Sequence, residues 1–206
     1  MELEPVVYLI DDDQMMRQSL VFVLTQAGYR VQAFACPAEL LAAYDPNRPG
    51  CLVLDLQMPE MTGLQLLREL NSRGDVHPFI VITGHGTIRT AVDSMHLGAV
   101  DFIEKPFHHD LFLERIAQAI ARDRETRDSR RSSAALEEQL TTLTTREREI
   151  MQMVVEGQLT KNIAKKLGIS TKTVEVHRSN ITRKMGVDSV VQLVRLMSAH
   201  NNTSSS

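Results

Sequence analysis

The chain has 206 residues, enough for one large or two small domains, and its 43% hydrophobic content can fill real cores. No run approaches the roughly 20 apolar residues of a membrane span. The start, Met-Glu-Leu-Glu-Pro, carries neither a basic region nor a signal-like apolar stretch, so the expected location is the cytoplasm. Cys36 and Cys51 lack metal or redox spacing and read as reduced packing residues. The net charge of −3 hides a split: residues 1–121 hold 8 Lys and Arg against 16 Asp and Glu, and residues 122–206 hold 15 against 10. The first part suits a cation or a basic partner, the second a polyanion.

The first half alternates strands with helices. Short runs at Val6–Ile10, Cys51–Leu54 and Phe79–Ile82 are apolar throughout, as expected of parallel strands covered on both faces. Arg30–Phe34 and Val100–Ile103 are further strand candidates. Between the runs lie stretches of helical spacing: Met16, Leu20, Val23 and Leu24; then Leu64, Leu67 and Leu70; then Ile116, Ala119 and Ile120. This alternation predicts βαβ units in a doubly wound α/β sheet.

Residues 122–134 are almost all charged or small polar, with candidate i,i+4 pairs Asp123–Arg127 and Arg124–Asp128. They show no apolar seam for a coiled coil and predict a solvated helical or flexible linker. Leu136, Leu140 and Leu143 mark the return of packing. Beyond them the punctuation is all helical. Thr144 and Glu147 fit a capping box for a helix bearing Ile150, Met153 and Val154. A short helix, Lys161–Leu167, stops at Gly168, and Ser170 can cap the next, with Val174, Ile181 and Met185 inward. A last helix runs from about Ser189 to Ala199, and the Asn-Asn-Thr-Ser-Ser-Ser end reads as disordered.

Acids, a hydroxyl and a lysine fall just after the strand runs: Asp11-Asp12-Asp13, Asp55, Thr83 and Lys105-Pro106. Carboxyl ends of parallel strands share one edge of a sheet, where ligands bind. Clustered carboxylates repel unless neutralised, and a hard divalent ion such as Mg²⁺ does this. An ionised aspartate beside such an ion can act as a nucleophile towards phosphorus, with a lysine and a hydroxyl holding the phosphoryl oxygens.

The stretches Val-Tyr-Leu-Ile-Asp-Asp-Asp, Leu-Val-Leu-Asp55-Leu-Gln-Met-Pro-Glu-Met-Thr-Gly, Val-Ile-Thr83-Gly-His-Gly and Asp-Phe102-Ile-Glu-Lys105-Pro106-Phe resemble a response-regulator receiver over residues 4–121. The resemblance implies a flavodoxin-like fold with strand order 2-1-3-4-5. It implies that Asp55 accepts phosphate from a sensor histidine kinase. It assigns Mg²⁺, or Mn²⁺, to Asp12, Asp55 and the Gln57 backbone carbonyl, with Asp11 acting through water. Lys105, beside a cis Lys105-Pro106 bond, would bind the phosphoryl group, and Thr83 and Phe102 would form a switch pair. Asp13 is left as a surface acid, and Asp101 and Glu104 as solvated. His85, His108 and His109 lack the Cys or acidic partners of a metal site.

Residues 160–185 read helix, Gly turn, helix. The outward face of the second helix presents Lys172, Glu175, Val176, Arg178, Ser179 and Arg183. Cations at its flanks suit phosphates, and Glu175, Val176 and Ser179 suit base edges in a major groove. A small bundle for protein contact has a similar surface, so spacing leaves both open. Leu-Thr-Thr-Arg-Glu-Arg-Glu-Ile, Asn-Ile-Ala-Lys-Lys-Leu-Gly-Ile-Ser and Thr-Val-Glu-Val-His-Arg-Ser-Asn-Ile resemble the LuxR-type four-helix domain, from about Leu140 to Ala199. Thr171 stands where many relatives carry proline, and either residue can open a helix. His177 lies near the inward stripe and suits packing better than base reading.

The whole chain is thus similar to NarL/FixJ-class regulators: a receiver (4–121), a linker (122–139) and a LuxR-type helix-turn-helix (140–200). The resemblance implies a phosphoacceptor regulator rather than an enzyme, one that assists its own phosphorylation and dephosphorylation. DNA contacts fall to Lys161, Lys172, Thr173, Glu175, Val176, Arg178, Ser179 and Arg183. Double-stranded DNA, RNA polymerase and, once phosphorylated, a second copy of the chain are the implied partners. Dimerisation is expected across a surface that includes parts of Ile88–Gly98, Val100–Ile103 and Asp110–Ala121. A DNA binder insensitive to phosphorylation and a phosphate sink without useful DNA affinity remain as alternatives.

Overall fold

The computed structural model describes residues 3–74, 77–84 and 87–203, with side chains described up to residue 198; His85 falls outside this set. Two compact units divide the chain, Met1–Arg127 and Asp128–Ser206.

In the first unit, strands β1 (Val6–Ile10), β2 (Arg30–Phe34), β3 (Gly50–Asp55), β4 (Phe79–Thr83) and β5 (Asp101–Glu104) form one sheet. All neighbouring pairs are parallel, in the order β2-β1-β3-β4-β5 expected from the resemblance. The intervening helices are α1 (Gln14–Gln26), α2 (Pro37–Ala43), α3 (Gly63–Ser72) and α4 (Ile88–His96), and α5 (His109–Thr141) follows β5.

Strand side chains alternate between the two faces of the sheet. Val6, Tyr8, Ile10, Leu52, Leu54, Phe79 and Val81 pack on one face with Leu40 of α2 and Leu66, Leu67 and Leu70 of α3. Val7, Leu9, Cys51, Val53, Ile80, Ile82 and Ile103 pack on the other with Leu20 and Leu24 of α1 and Phe112, Ile116 and Ala119 of α5. Both faces are therefore covered, which is why β1, β3 and β4 read as unbroken apolar runs. Each fully buried Leu or Ile contributes roughly 1.5–3 kcal/mol of burial.

The polar stretch after Ala121 is helical, a continuation of α5. Its solvated reading fails at Asp123, which is 5% exposed. The expected Asp123–Arg127 pair forms, at 2.7 Å. Asp123 Oδ2 also accepts the Gly50 N–H at 2.9 Å, so residues 122–127 pack with the first unit. Asp101 also differs from its solvated reading: it pairs with Arg115 of α5 and accepts the Phe102 N–H.

The second unit contains α6 (Thr145–Val155), α7 (Thr160–Leu167), α8 (Thr171–Lys184) and α9 (Val190–Thr203). The Thr144–Glu147 capping box is present. Its core holds Leu136, Leu143, Ile150, Met151, Val154, Ile163, Ala164, Val174, Ile181, Met185 and Leu193. Met151 takes the buried place beside Ile150, and Met153 is half-buried. Among the described residues, no helix is long and apolar enough to cross a membrane.

Candidate phosphoacceptor site and nucleic-acid interface

The strand order reverses between β1 and β3, and ligands of open α/β sheets bind outside the carboxyl ends at such a point. β1 ends immediately before Asp11, β3 ends on Asp55 and β4 on Thr83, and β5 runs into Lys105. Side chains distant in sequence therefore meet on one edge. Lys105 Nζ lies 2.7 Å from Asp11 Oδ2 and 2.7 Å from Asp55 Oδ2. Asp11 and Asp55 are buried, whereas Asp12 is exposed. Burial raises the Asp11 pKa above the ordinary carboxylate value, against the lowering effect of Lys105. Burial alone would depress the Lys105 ammonium, but hydrogen bonds to Asp11 and Asp55 outweigh it and raise its pKa.

Carboxylate oxygens of Asp11, Asp12 and Asp55 lie within 4.8 Å of one another. Three hard oxygen donors, one of them open to solvent, fit a cation that keeps part of its water shell, as Mg²⁺ does. The remaining oxygens are held in place: Asp11 Oδ1 accepts the Asp13 N–H at 2.9 Å and Asp55 Oδ1 the Gln57 N–H at 3.0 Å. The Lys105-Pro106 bond is cis, as expected. Thr83 is buried, and its carbonyl accepts the Lys105 N–H at 2.8 Å. Phe102 is half-buried against the core face that contains Leu97. Thus the acids, the hydroxyl-bearing Thr83 and the lysine share one edge, with Phe102 on β5 beside β4.

Sequence reasoning missed three supports of this edge. Asp13 is the N-cap of α1, accepting the Met15 and Met16 N–H groups at 2.8 and 3.2 Å. An Asp just before a helical pattern is a capping signal, so its role was legible locally. Arg17 donates to the Asp11 carbonyl at 2.6 Å and bridges the acidic loop to α1. Gly63 allows α3 to begin against β3: a Cβ there would collide with the Asp55 carbonyl oxygen and the Leu54 side chain.

In the second unit, Gly168 adopts the left-handed conformation (φ 65°) between α7 and α8, a geometry that costs a glycine little. Ser170 caps α8 by accepting the Thr173 N–H at 3.0 Å. Val174 and Ile181 are buried, while Lys161, Lys172, Thr173, Glu175, Val176, Ser179 and Arg183 are exposed. Three of the expected DNA contacts are partly engaged, Arg183 by donating from Nη2 to Asn180 Oδ1 at 3.3 Å. The Thr173 hydroxyl lies 2.8 Å from the Ser170 hydroxyl, and half-buried Arg178 donates to Thr160 Oγ1 at 2.6 Å. His177 is half-buried, and its Nδ1 is buried without a hydrogen-bond partner.

Residues 7–117 match the response regulator receiver domain, and residues 141–197 match the luxR family of bacterial regulatory proteins. The chain belongs to the response regulators. It is 43% identical to the transcriptional regulatory protein FixJ of Rhizobium meliloti, covering 92% of this chain and 93% of that one. The FixJ of Azorhizobium caulinodans is 40% identical, with 92% and 90% covered. Among solved structures, the response regulator StyR matches with a TM-score of 0.85 at 38% identity, covering 95% of this chain and 99% of that one. This response regulator is a FixJ-like transcriptional regulator that pairs a receiver with a LuxR-type DNA-binding domain, and its class implies a sensor kinase partner. Receivers bind Mg²⁺ through an acidic pocket, and Asp11, Asp12 and Asp55 form such a cluster here.

Proposed function

We propose that Asp55 accepts a phosphoryl group from a sensor histidine kinase, and that the phosphorylated chain dimerises and binds paired DNA half-sites to regulate transcription. The observation that carries this reading is the double ion pair of Lys105 with Asp11 and Asp55. It brings two carboxylates and an ammonium together on one sheet edge, which supports reading Asp55 as nucleophile, Asp11 as an acid for a cation and Lys105 as the phosphoryl ligand.

In the transfer, an Asp55 carboxylate oxygen attacks phosphorus as the P–N bond to the kinase imidazole breaks and the electron pair leaves with the nitrogen. A Mg²⁺ or Mn²⁺ ion held by Asp11, Asp12, Asp55 and the Gln57 carbonyl would neutralise the charge that gathers there. Lys105 gives up its ion pair with Asp55 and binds a phosphoryl oxygen. The Thr83 hydroxyl then donates to another oxygen, and Phe102 follows it inward. The same groups would assist hydrolysis of the acyl phosphate, so this is a timed switch rather than an enzyme acting on a separate substrate. A cytoplasmic location fits both partners.

An apolar surface supports pairing. Ile88 (87% exposed), Val92 and Met95 leave large apolar side chains in solvent at helical spacing along α4, and an apolar face of this kind suits an interaction site. Two DNA-binding domains joined in one particle gain by effective concentration. On DNA, Lys161, Lys172, Thr173, Arg178 and Arg183 would contact phosphates, and Glu175, Val176 and Ser179 would face base edges. RNA polymerase is the expected further partner at a promoter.

Sedimentation with Mg²⁺, before and after beryllofluoride, tests the reading. A monomer-to-dimer shift that Asp55→Ala abolishes is expected, together with tighter binding to paired half-sites. A chain that stays monomeric with unchanged DNA affinity, despite confirmed occupancy of Asp55, would overturn it.

A further inference from the structure

The strand edge opposite Asp55 carries a polar network for which the phosphorylation chemistry has no use. Arg127, at the end of the receiver's share of α5, donates from Nη1 to the Asn47 carbonyl at 2.9 Å. Its Nη2 donates to the Pro46 and Arg48 carbonyls at 2.7 and 3.1 Å, and its Nε to Asp123 Oδ2 at 2.7 Å. The guanidinium thus spends its planar donor fork on three consecutive backbone carbonyls and one carboxylate. Asp123 closes the other side by accepting the Gly50 N–H where β3 starts. At Gly50 an added Cβ would strike the Val6 backbone, so the start of β3 lies close against β1 at the point where the carboxylate takes the N–H.

His77, 2% exposed, backs the clamp. Its Nε2 lies 2.5 Å from the Arg48 carbonyl and 3.2 Å from Arg127 Nη2, so the ring touches both halves of the clamp. Its Nδ1 lies 2.6 Å from the Tyr44 hydroxyl, and the Tyr44 oxygen accepts the His77 backbone N–H at 3.0 Å. Burial keeps the ring's pKa below its ordinary value, consistent with a neutral ring beside Arg127.

These contacts anchor α5 a second time. From Phe112 to Ala119 the helix is held by apolar packing on the sheet. Beyond Asp123, whose carboxylate holds the Gly50 N–H, Arg127 is the remaining described tie to the receiver, since the following residues show no apolar seam. We propose that Arg127 is a latch that fixes where the α5 extension leaves the receiver, by clamping it to the Pro46–Arg48 loop at the end of the sheet remote from Asp55. The segment after residue 127 then starts from a held point. As regulation this rests on the proposed function, because a rigid helix passes on a displacement of its first turns whereas a frayed one absorbs it.

The test is amide hydrogen exchange on the full-length chain, comparing wild type, Arg127→Gln and Tyr44→Phe. Arg127→Gln is expected to speed exchange across residues 122–131 by about tenfold or more while leaving β1 and β3 protected. Tyr44→Phe leaves the Arg127 bonds to the three carbonyls and is expected to spare the 122–131 segment. Unchanged exchange over 122–131 in Arg127→Gln would overturn the latch. So would equal acceleration in both variants spread over β1 and β3, which would mean ordinary loss of core stability. DNA binding read on the same proteins separates the two ideas. If the wild-type chain gains no affinity with beryllofluoride, the functional reading fails, and the exchange data still decide the latch.

Discussion

Lys184 Nζ, on the last turn of α8, lies 2.7 Å from Glu147 Oε2 on the first turn of α6. The same carboxylate oxygen accepts the Thr144 N–H at 2.8 Å and the Thr144 hydroxyl at 3.0 Å, and Lys184 also donates to the Thr142 carbonyl at 3.0 Å. One acid therefore caps a helix and anchors the helix that bears most of the proposed DNA contacts.

Those bonds, led by the one to Lys184, hold the Glu147 pKa down at about 2, against an ordinary value of 4.5. A depressed carboxylate stabilises the fold fully above its unfolded pKa, and that share is lost as pH falls through the folded value. The second unit is expected to lose stability through this group as pH falls from about 5 to about 2. Amide exchange in α6 and α8 across that range checks it. Glu147→Gln should be less stable at neutral pH and show a flatter acid limb; a limb identical to wild type would contradict the assignment.

Replacing Lys105 by glutamine leaves Asp11 and Asp55 facing each other without their cation. Removing one partner of a buried ion pair costs roughly 3–5 kcal/mol. Urea unfolding should show that loss in the first unit, and Mg²⁺ should stabilise the variant more than the wild type because the dication replaces the missing charge. The Asp11 carboxyl is already raised by burial, and losing Lys105 raises it further. A raised carboxylate gains stability as protons are added, so mild acid should stabilise the variant relative to neutral pH.

Gly63→Ala pushes a methyl group into the Asp55 carbonyl oxygen and Leu54. Overpacking at such a site costs about 1–3 kcal/mol. The urea midpoint of the first unit should fall, with exchange protection in α6 to α9 unchanged. An unaltered midpoint would mean that α3 can shift away from β3 freely.

On DNA, Lys172→Ala should weaken binding to all sequences alike and reduce the slope of log affinity against log salt by about one. Val176, 55% exposed on α8, should behave differently: Val176→Ala is expected to alter which operator is preferred while sparing the salt slope. Arg178→Ala should also loosen the unit, since its guanidinium bonds Thr160 on α7. Anisotropy titrations over a salt series, with a randomised operator, separate these effects.

The receiver's strands were legible because burial on both faces leaves unbroken apolar runs, and Asp11, Asp12, Asp55 and Lys105 were legible because parallel strands deliver their ends to one edge. The helices of the second unit were marked by Thr144, Gly168 and Ser170, whose capping chemistry is local. Apart from the local cap at Asp13, what escaped depends on contacts across long stretches of chain. Nothing near Asp123 in sequence signals that Gly50, 73 residues away, would need its carboxylate. Arg127 reads only as an i,i+4 partner of Asp123 until the Pro46–Arg48 carbonyls are brought beside it. Periodicity reports which face of a helix is apolar, and it is silent on a polar side chain that is buried because another loop comes to it.

Asp11, Asp12 and Asp13 are three copies of one letter with three separate addresses. The first is buried on Lys105, the second is open to solvent, and the third ties down the start of α1. A one-residue slip in this loop would leave the composition untouched and misassign every duty, placing the cap in the pocket and the pocket acid in water. Asparagine scanning across the run should therefore yield three distinct defects rather than one graded loss, and any comparison of related chains that aligns the run by count alone will trade one duty for another.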